Sequence, residues 1–174
     1  MINSNNQSIV AVGEIGLDYH YNHSPRDVQI KALEAQIEIA LKYDLPIIFH
    51  VREGFDDFWP VFDNFHGIRG VLHSFTDNSF NACQGLNRGL YIGISGFSTF
   101  TKDEQQKIMF ASLPLDKILL ETDAPFLTPI PLRGKVNEPA YVSSIAEHQA
   151  AIRKISFKEI ANATTANACA LFKF

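Results

Sequence analysis

Leu119-Leu-Glu-Thr-Asp-Ala-Pro-Phe-Leu-Thr-Pro-Ile-Pro-Leu-Arg-Gly-Lys-Val-Asn-Glu-Pro-Ala-Tyr-Val142 is the stretch on which the reading of the fold turns. It opens inside an apolar strand, Lys117 to Glu121, and that strand stops short of Asp123. Pro125, Pro129 and Pro131 follow, then Arg133-Gly-Lys135 and Asn137-Glu-Pro139. Proline removes a backbone donor and fixes φ, so this pattern predicts a rigid, irregular loop rather than a helix or sheet. A carboxylate where a strand runs into an elaborate loop is a common seat of chemistry in parallel α/β proteins. The alternative is that Asp123 only caps a turn.

Working outward, the strand-then-helix pattern repeats. Ile9 to Ile15 reads as a strand, nearly continuous in apolar residues, followed by a loop from Gly16 to Ser24. Such a run fits a strand covered on both faces. Ser24 and Pro25 have the form of a helix start, and Leu33, Ile37, Ala40 and Leu41 share one face of a helix from Arg26 to Tyr43. Strands are expected at Pro46 to Val51, Gly70 to His73 and Leu90 to Ile94. Helices are expected at Phe55 to Phe65, broken or kinked at Pro60, and at Phe80 to Leu86. Thr101-Lys-Asp-Glu104 and Ser156-Phe-Lys-Glu159 have the form of capping boxes, starting helices to about Ser112 and Leu171. Ala140 to Lys154 is a further helix. Five alternating βα units imply a parallel sheet with helices outside it, in an α/β fold forming one domain over residues 1–174.

Composition narrows the class. The 174 residues are 46% hydrophobic and 20% charged, which is ordinary for a protein with a substantial core. A net charge of −4 excludes a polycation that binds nucleic acid over its whole surface, though a local basic patch and metal ions can still hold phosphates. Cys83 and Cys169 read as reduced core thiols rather than a disulfide or zinc framework. No apolar run approaches membrane-spanning length, and Met1 to Ser8 lacks the plan of a signal peptide. A cytoplasmic location, with no membrane partner, is the expectation. Most of the aromatic residues are interleaved with aliphatic ones and read as core.

The strand ends carry the chemistry. Glu14 closes the first expected strand, His50 the second and His73 the third, while Asp123 follows the fifth. In a parallel sheet all C-terminal ends lie on one rim, so residues scattered in sequence can converge. Two imidazoles and two carboxylates are the composition of a metal site. One carboxylate bridging two ions would build a hydrolytic centre that activates water and binds a phosphate oxygen. Singly, each residue has a plainer reading: Glu14 could pair with Arg52, and His50 or His73 could be a core histidine. Arg52, Arg133 and Lys135 are candidate phosphate contacts. Asp18 and Tyr19 could line the mouth, His20 and His23 could border it, and His66 and His148 read as structural or solvent-facing.

These same residues carry a resemblance. Gly-Glu14-Ile-Gly-Leu-Asp18-Tyr, Pro-Ile-Ile-Phe-His50-Val-Arg52, Gly-Val-Leu-His73-Ser-Phe and Leu-Leu-Glu121-Thr-Asp123-Ala-Pro resemble the TatD family of metal-dependent deoxyribonucleases. Arg133-Gly-Lys135-Val-Asn137-Glu138-Pro-Ala fits as well, and the likeness runs over essentially the whole chain. It implies a TIM-like (β/α)₈ barrel binding one to three divalent ions (Mg, Mn or Zn) and hydrolysing DNA, usually 3′→5′. It also implies that Glu14 bridges two ions, that His50 and His73 hold one, and that Asp123 holds the other and orients or deprotonates the attacking water. The family's opening strand bears a His-x-His pair, and no His-x-His occurs in these residues. The expectation is therefore an incomplete barrel, N-terminally shortened, with about five strands and its first three missing. One metal site keeps its matched ligands, while the second has lost its His-x-His ligands. Nuclease activity would be weak or absent. The competing expectations are a non-catalytic remnant that assembles with itself or with an N-terminal fragment, and a hydrolase of another phosphoester or amide.

Overall fold

A computed structural model describes residues 9–21 and 23–173; the expectation made for Met1 to Ser8 lies outside them. Packing divides the chain into two compact units, one running to residue 73 and taking in residues 170–173, the other spanning Ser74–Cys169.

The first unit holds three parallel strands, β1 (Val12–Asp18), β2 (Ile47–Arg52) and β3 (Gly70–Leu72), with β2 between the others. Two helices connect them, α1 (Arg26–Lys42) and α2 (Phe55–Asp63). α1 turns Leu33, Ile37 and Ala40 inward, all fully buried, at the spacing the sequence predicts. Leu17, Ile47 and Phe49 are buried on the strands. α2 supplies an aromatic cluster: Phe58 stands edge-on to Phe49 with ring centres 5.1 Å apart, and Trp59 stacks on Phe55 at 5.4 Å. Each such buried side chain stabilises the fold by roughly 1.5–3 kcal/mol. Arg69 ties the unit's lower end, donating to the carbonyl and carboxylate of Asp44 at 2.7 and 2.8 Å, while Lys173 reaches the same carboxylate at 3.0 Å.

The second unit holds β4 (Tyr91–Ile94) and β5 (Ile118–Leu120), paired in parallel, with α3 (Ser79–Asn87), α4 (Glu104–Ser112), α5 (Val142–Arg153) and most of α6 (Phe157–Phe172). Ile92, Ile94, Ile118, Phe110, Ile145 and Ile160 form its core. Asn167 on α6 donates to the Leu115 and Ile118 carbonyls at 2.9 and 2.8 Å, which fixes the approach to β5. Arg153 donates to the carbonyls of Leu113 and Phe110, both at 2.7 Å, tying α5 to the end of α4.

The α/β class and the five parallel strands agree with the sequence reading; several details do not. β1 starts and ends three residues later than expected, because Leu17 continues the buried face beyond Gly16. Glu14 therefore lies within the strand. β2 likewise runs on through Arg52, so His50 is not its last residue. Pro60 does not break α2, whose unmatched Asp56 carbonyl lies on the exposed face where water can serve it. Thr101 is not the cap of α4. Asp103 caps it, its carboxylate accepting from the Gln105 and Gln106 N–H groups, while Thr101 donates to the Gln106 side chain at 2.6 Å. Cys83 is exposed rather than in the core, because α3 turns Ala82 and Gly85 inward instead.

Candidate metal centre

Glu14 owes its position to a break in the ladder. β1 and β2 pair Val12 with Ile47 and Gly13 with Ile48, and then Ile15 with Phe49, so Glu14 is skipped. A bulge of this kind re-aims the side chain of the extra residue. The carboxylate lies between two imidazoles: one oxygen is 3.8 Å from His50 Nδ1, the other 3.5 Å from His73 Nε2. These separations exceed an ordinary hydrogen bond. They match two ligand atoms sharing one ion, since donors about 2.1 Å from a tetrahedral metal lie about 3.4 Å apart. The donor set of nitrogen and carboxylate oxygen suits Zn or Mn. The donor types of Glu14, His50 and His73 suit a divalent ion, and the Glu14 carboxylate lies at ligand spacing from each imidazole in turn.

The other face of His50 is held by Asp18, whose Oδ2 is 2.9 Å from His50 Nε2. If the ring donates from Nε2, its Nδ1 lone pair is left toward Glu14, the usual division of labour between carboxylate, histidine and metal. Asp18 is itself fixed. Its Oδ1 accepts from the N–H groups of His20 and Tyr21, both at 3.0 Å. Burial raises its pKa, but the Tyr21 N–H, the His50 hydrogen bond and the charges of His50 and Arg52 together bring it below the ordinary 3.8. Gln29 on α1 grips the backbone: its Oε1 accepts from Asp18 N–H at 2.8 Å, and its amide donates to the Asp18 carbonyl at 3.1 Å and that of Ser24 at 2.9 Å. Gly16 lets β1 come this close to β2, since a Cβ there would stand 1.7 Å from the His50 carbonyl oxygen.

Around this centre, Tyr19 donates to Asp57 at 2.7 Å, and burial followed by that bond pushes its pKa up to about 12. Arg52 does not pair with Glu14; its guanidinium lies over the Tyr21 ring, 5.0 Å from the ring centre. His20 contacts Glu53 at 2.8 Å, and His23 stacks on Tyr21.

In the second unit, Asp123 sits at φ +57°, a left-handed backbone that Asp tolerates better than most residues, and its carbonyl accepts from Phe126 N–H at 2.8 Å. Asn137 holds this turn. It is 3% exposed, and its amide donates to the Thr122 and Phe126 carbonyls at 2.6 and 2.5 Å. Arg133 braces the same loop, donating to the Thr128 carbonyl at 2.9 Å and lying over the Phe100 ring at 3.9 Å. Lys135 is exposed. Glu121 accepts from the Ser74 N–H. His66 is exposed in a bend and His148 is half-buried on α5. Sequence reasoning gave no role to Gln29 or Asn137 and placed Asp18 only at the mouth. The Gly-Leu-Asp-Tyr and Val-Asn-Glu-Pro motifs were the available signals.

Parallel strands that bring a carboxylate between two imidazoles are the build of an α/β metal-dependent hydrolase. The chain belongs to the TatD related DNase family, whose model matches residues 2–173. It is 39% identical over 172 residues to the uncharacterized metal-dependent hydrolase YabD of Bacillus subtilis, covering 98% of this chain and 68% of that protein. It is 37% identical over 182 residues to the 3′-5′ ssDNA/RNA exonuclease TatD of Salmonella typhimurium, covering 98% and 68%. The crystal structure of YjjV, a TatD homologue of Escherichia coli, superposes with a TM-score of 0.89 at 30% identity, covering 97% of this chain and 65% of that one. The chain spans about two thirds of the length of these relatives. Among the described residues no helix is long and apolar enough to cross a membrane.

Proposed function

We propose that this chain is a metal-dependent phosphodiesterase that removes nucleotides from the 3′ end of DNA. The observation that carries the reading is the Glu14 carboxylate set between His50 Nδ1 and His73 Nε2. The metal-dependent hydrolase names of its relatives, and the exonuclease name of one of them, support it. A divalent ion held by Glu14, His50 and His73 would act as a Lewis acid toward water and a phosphate oxygen. Asp18 keeps His50 in the ligand orientation. Asp123 joins the proposal through its motif, as the base that takes the proton from the attacking water. Lys135 and Arg52 offer cations to phosphate, while Arg133 shapes the loop through Thr128 and Phe100.

The test is a 5′-labelled oligodeoxynucleotide incubated with the protein and Mg, Mn or Zn, the products resolved to single nucleotides. A ladder shortening from the 3′ end is expected, abolished in Glu14→Ala and Asp123→Ala. Failure to take up metal, or cleavage indifferent to Glu14→Ala, would sink the proposal.

A further inference from the structure

The loop after β1 carries a feature that the metal centre does not use. Tyr21 is 59% exposed, an unusual place for so large a ring. It is nonetheless held in one orientation. The His23 imidazole lies parallel to it, 7° between planes and 5.7 Å between ring centres. The Arg52 guanidinium sits 5.0 Å from its centre, within cation–π range. His20 meets it edge-on at 5.0 Å and is itself anchored by Glu53 at 2.8 Å. The result is an ordered, solvent-facing group of flat rings with one guanidinium.

Its position is fixed relative to the centre by one residue. Asp18 accepts the Tyr21 N–H at 3.0 Å on one oxygen and contacts His50 Nε2 at 2.9 Å on the other. Arg52 lies opposite Asp18 in the β1–β2 register, two residues beyond His50 on the same strand. The rings therefore stand one carboxylate away from the imidazole that faces Glu14.

Exposed aromatic rings with an adjacent arginine are how proteins hold unpaired bases without reading their sequence, because every base has a π-face. We infer that Tyr21, His23 and Arg52 form a base-stacking subsite that holds a nucleobase of a single-stranded substrate beside the metal centre. This rests on the nucleic-acid reading above. It adds that the chain grips an unpaired base, and that Arg52 serves this stack more than it serves phosphate. The chain's overall charge of −4 makes such a local platform the more necessary.

Equilibrium binding tests it, measured by fluorescence anisotropy in EDTA so that nothing is cleaved. The probes are fluorescein-labelled octathymidylate and an abasic deoxyribose-phosphate octamer. Tyr21→Ala should weaken octathymidylate binding roughly 5- to 150-fold, the range for loss of one stacked base, and leave the abasic octamer within about twofold. Tyr21→Phe should hold affinity for both probes. Tyr21→Trp should show fluorescence quenched by octathymidylate and not by the abasic octamer. Equal affinity of Tyr21→Ala and the parent chain for octathymidylate, or equal weakening on both probes, overturns the subsite while leaving the nuclease proposal standing. Base-dependent binding without metal-dependent cleavage keeps the subsite and removes the nuclease proposal. No binding of either oligomer by the parent chain removes both.

Discussion

Asp18→Asn separates the roles of the groups around His50. In the parent chain the Asp18 carboxylate can only accept from His50 Nε2, at 2.9 Å, so Nδ1 keeps its lone pair on the side of Glu14. Asparagine is nearly the same size. Its carbonyl can still accept the N–H groups of His20 and Tyr21, which now bind Asp18 Oδ1 at 3.0 Å. With the carbonyl so engaged, the amide nitrogen faces Nε2 and donates to it. The ring must then carry its proton on Nδ1, where a metal ligand needs a lone pair. Recovering the ligand tautomer means breaking that bond or flipping the amide away from two backbone donors. Loss of an outer partner of a metal-binding histidine typically costs about 10- to 100-fold in affinity, or about 1.4–2.7 kcal/mol. Competition against a chromophoric chelator with Zn or Mn should show a loss in that range, with thermal stability little changed because the loop keeps its backbone bonds. Nitrogen NMR of His50 should report the tautomer directly. Metal affinity within twofold of the parent chain, with the His50 tautomer switched, would refute the assignment of His50 as a ligand through Nδ1.

Three further substitutions test the framework. Gly16→Ala puts a methyl group 1.7 Å from the His50 carbonyl, a backbone atom in the middle of the β1–β2 ladder. Overpacking against backbone should cost about 3 kcal/mol or more, lowering Tm by about 6–12 °C in a circular-dichroism melt, and a shift under about 3 °C would contradict it. Asn137→Ala leaves the Thr122 and Phe126 carbonyls without their donor and should cost about 1–3 kcal/mol. Hydrogen exchange at the Phe126 amide should quicken with it, and unchanged protection would show that the turn stands without Asn137. His148 has its pKa lowered from 6.5 by burial, against a smaller opposing pull from the Ser98 backbone. The unfolded chain therefore takes up a proton before the folded one as pH falls below about 6.5, so this residue's contribution is intact above that pH and is lost on the acid side. Denaturant titrations at pH 7.5 and 5.0 should find less acid sensitivity in His148→Gln, and an equal or steeper loss would reverse the sign.

The architecture was legible because it depends on short-range pattern. Apolar runs of four to seven residues separated by helical periodicity give alternating strands and helices whatever the details of packing. The elements that resisted were those whose cause lies far away in the chain. Gly16 reads as the start of a loop by local punctuation, yet it is a strand residue, glycine because the His50 carbonyl is so near. Asp18 and His50 are 32 residues apart, and no local signal announces their hydrogen bond. Asn137 lies in a stretch that reads as plain loop, and its value comes from the two carbonyls it holds from 11 and 15 residues away. Asp103 took the cap of α4 from Thr101 because only its geometry reaches two N–H groups at once. Tyr21 has no signal of its own in the sequence, and only its exposure and its neighbours distinguish it.

Gln29 carries a consequence for solubility. Tyr19 N–H donates to Arg52 on β2, so the N–H and C=O of Asp18 face the other way, off the outer side of β1. Unpaired groups on a strand margin invite other chains to add on. The Gln29 amide meets both at once, accepting from one and donating to the other as a neighbouring strand would. A side chain from α1 thus supplies the last rung that another molecule could otherwise take. Gln29→Ala would leave the Asp18 N–H and C=O without that partner and open this one rung to another chain.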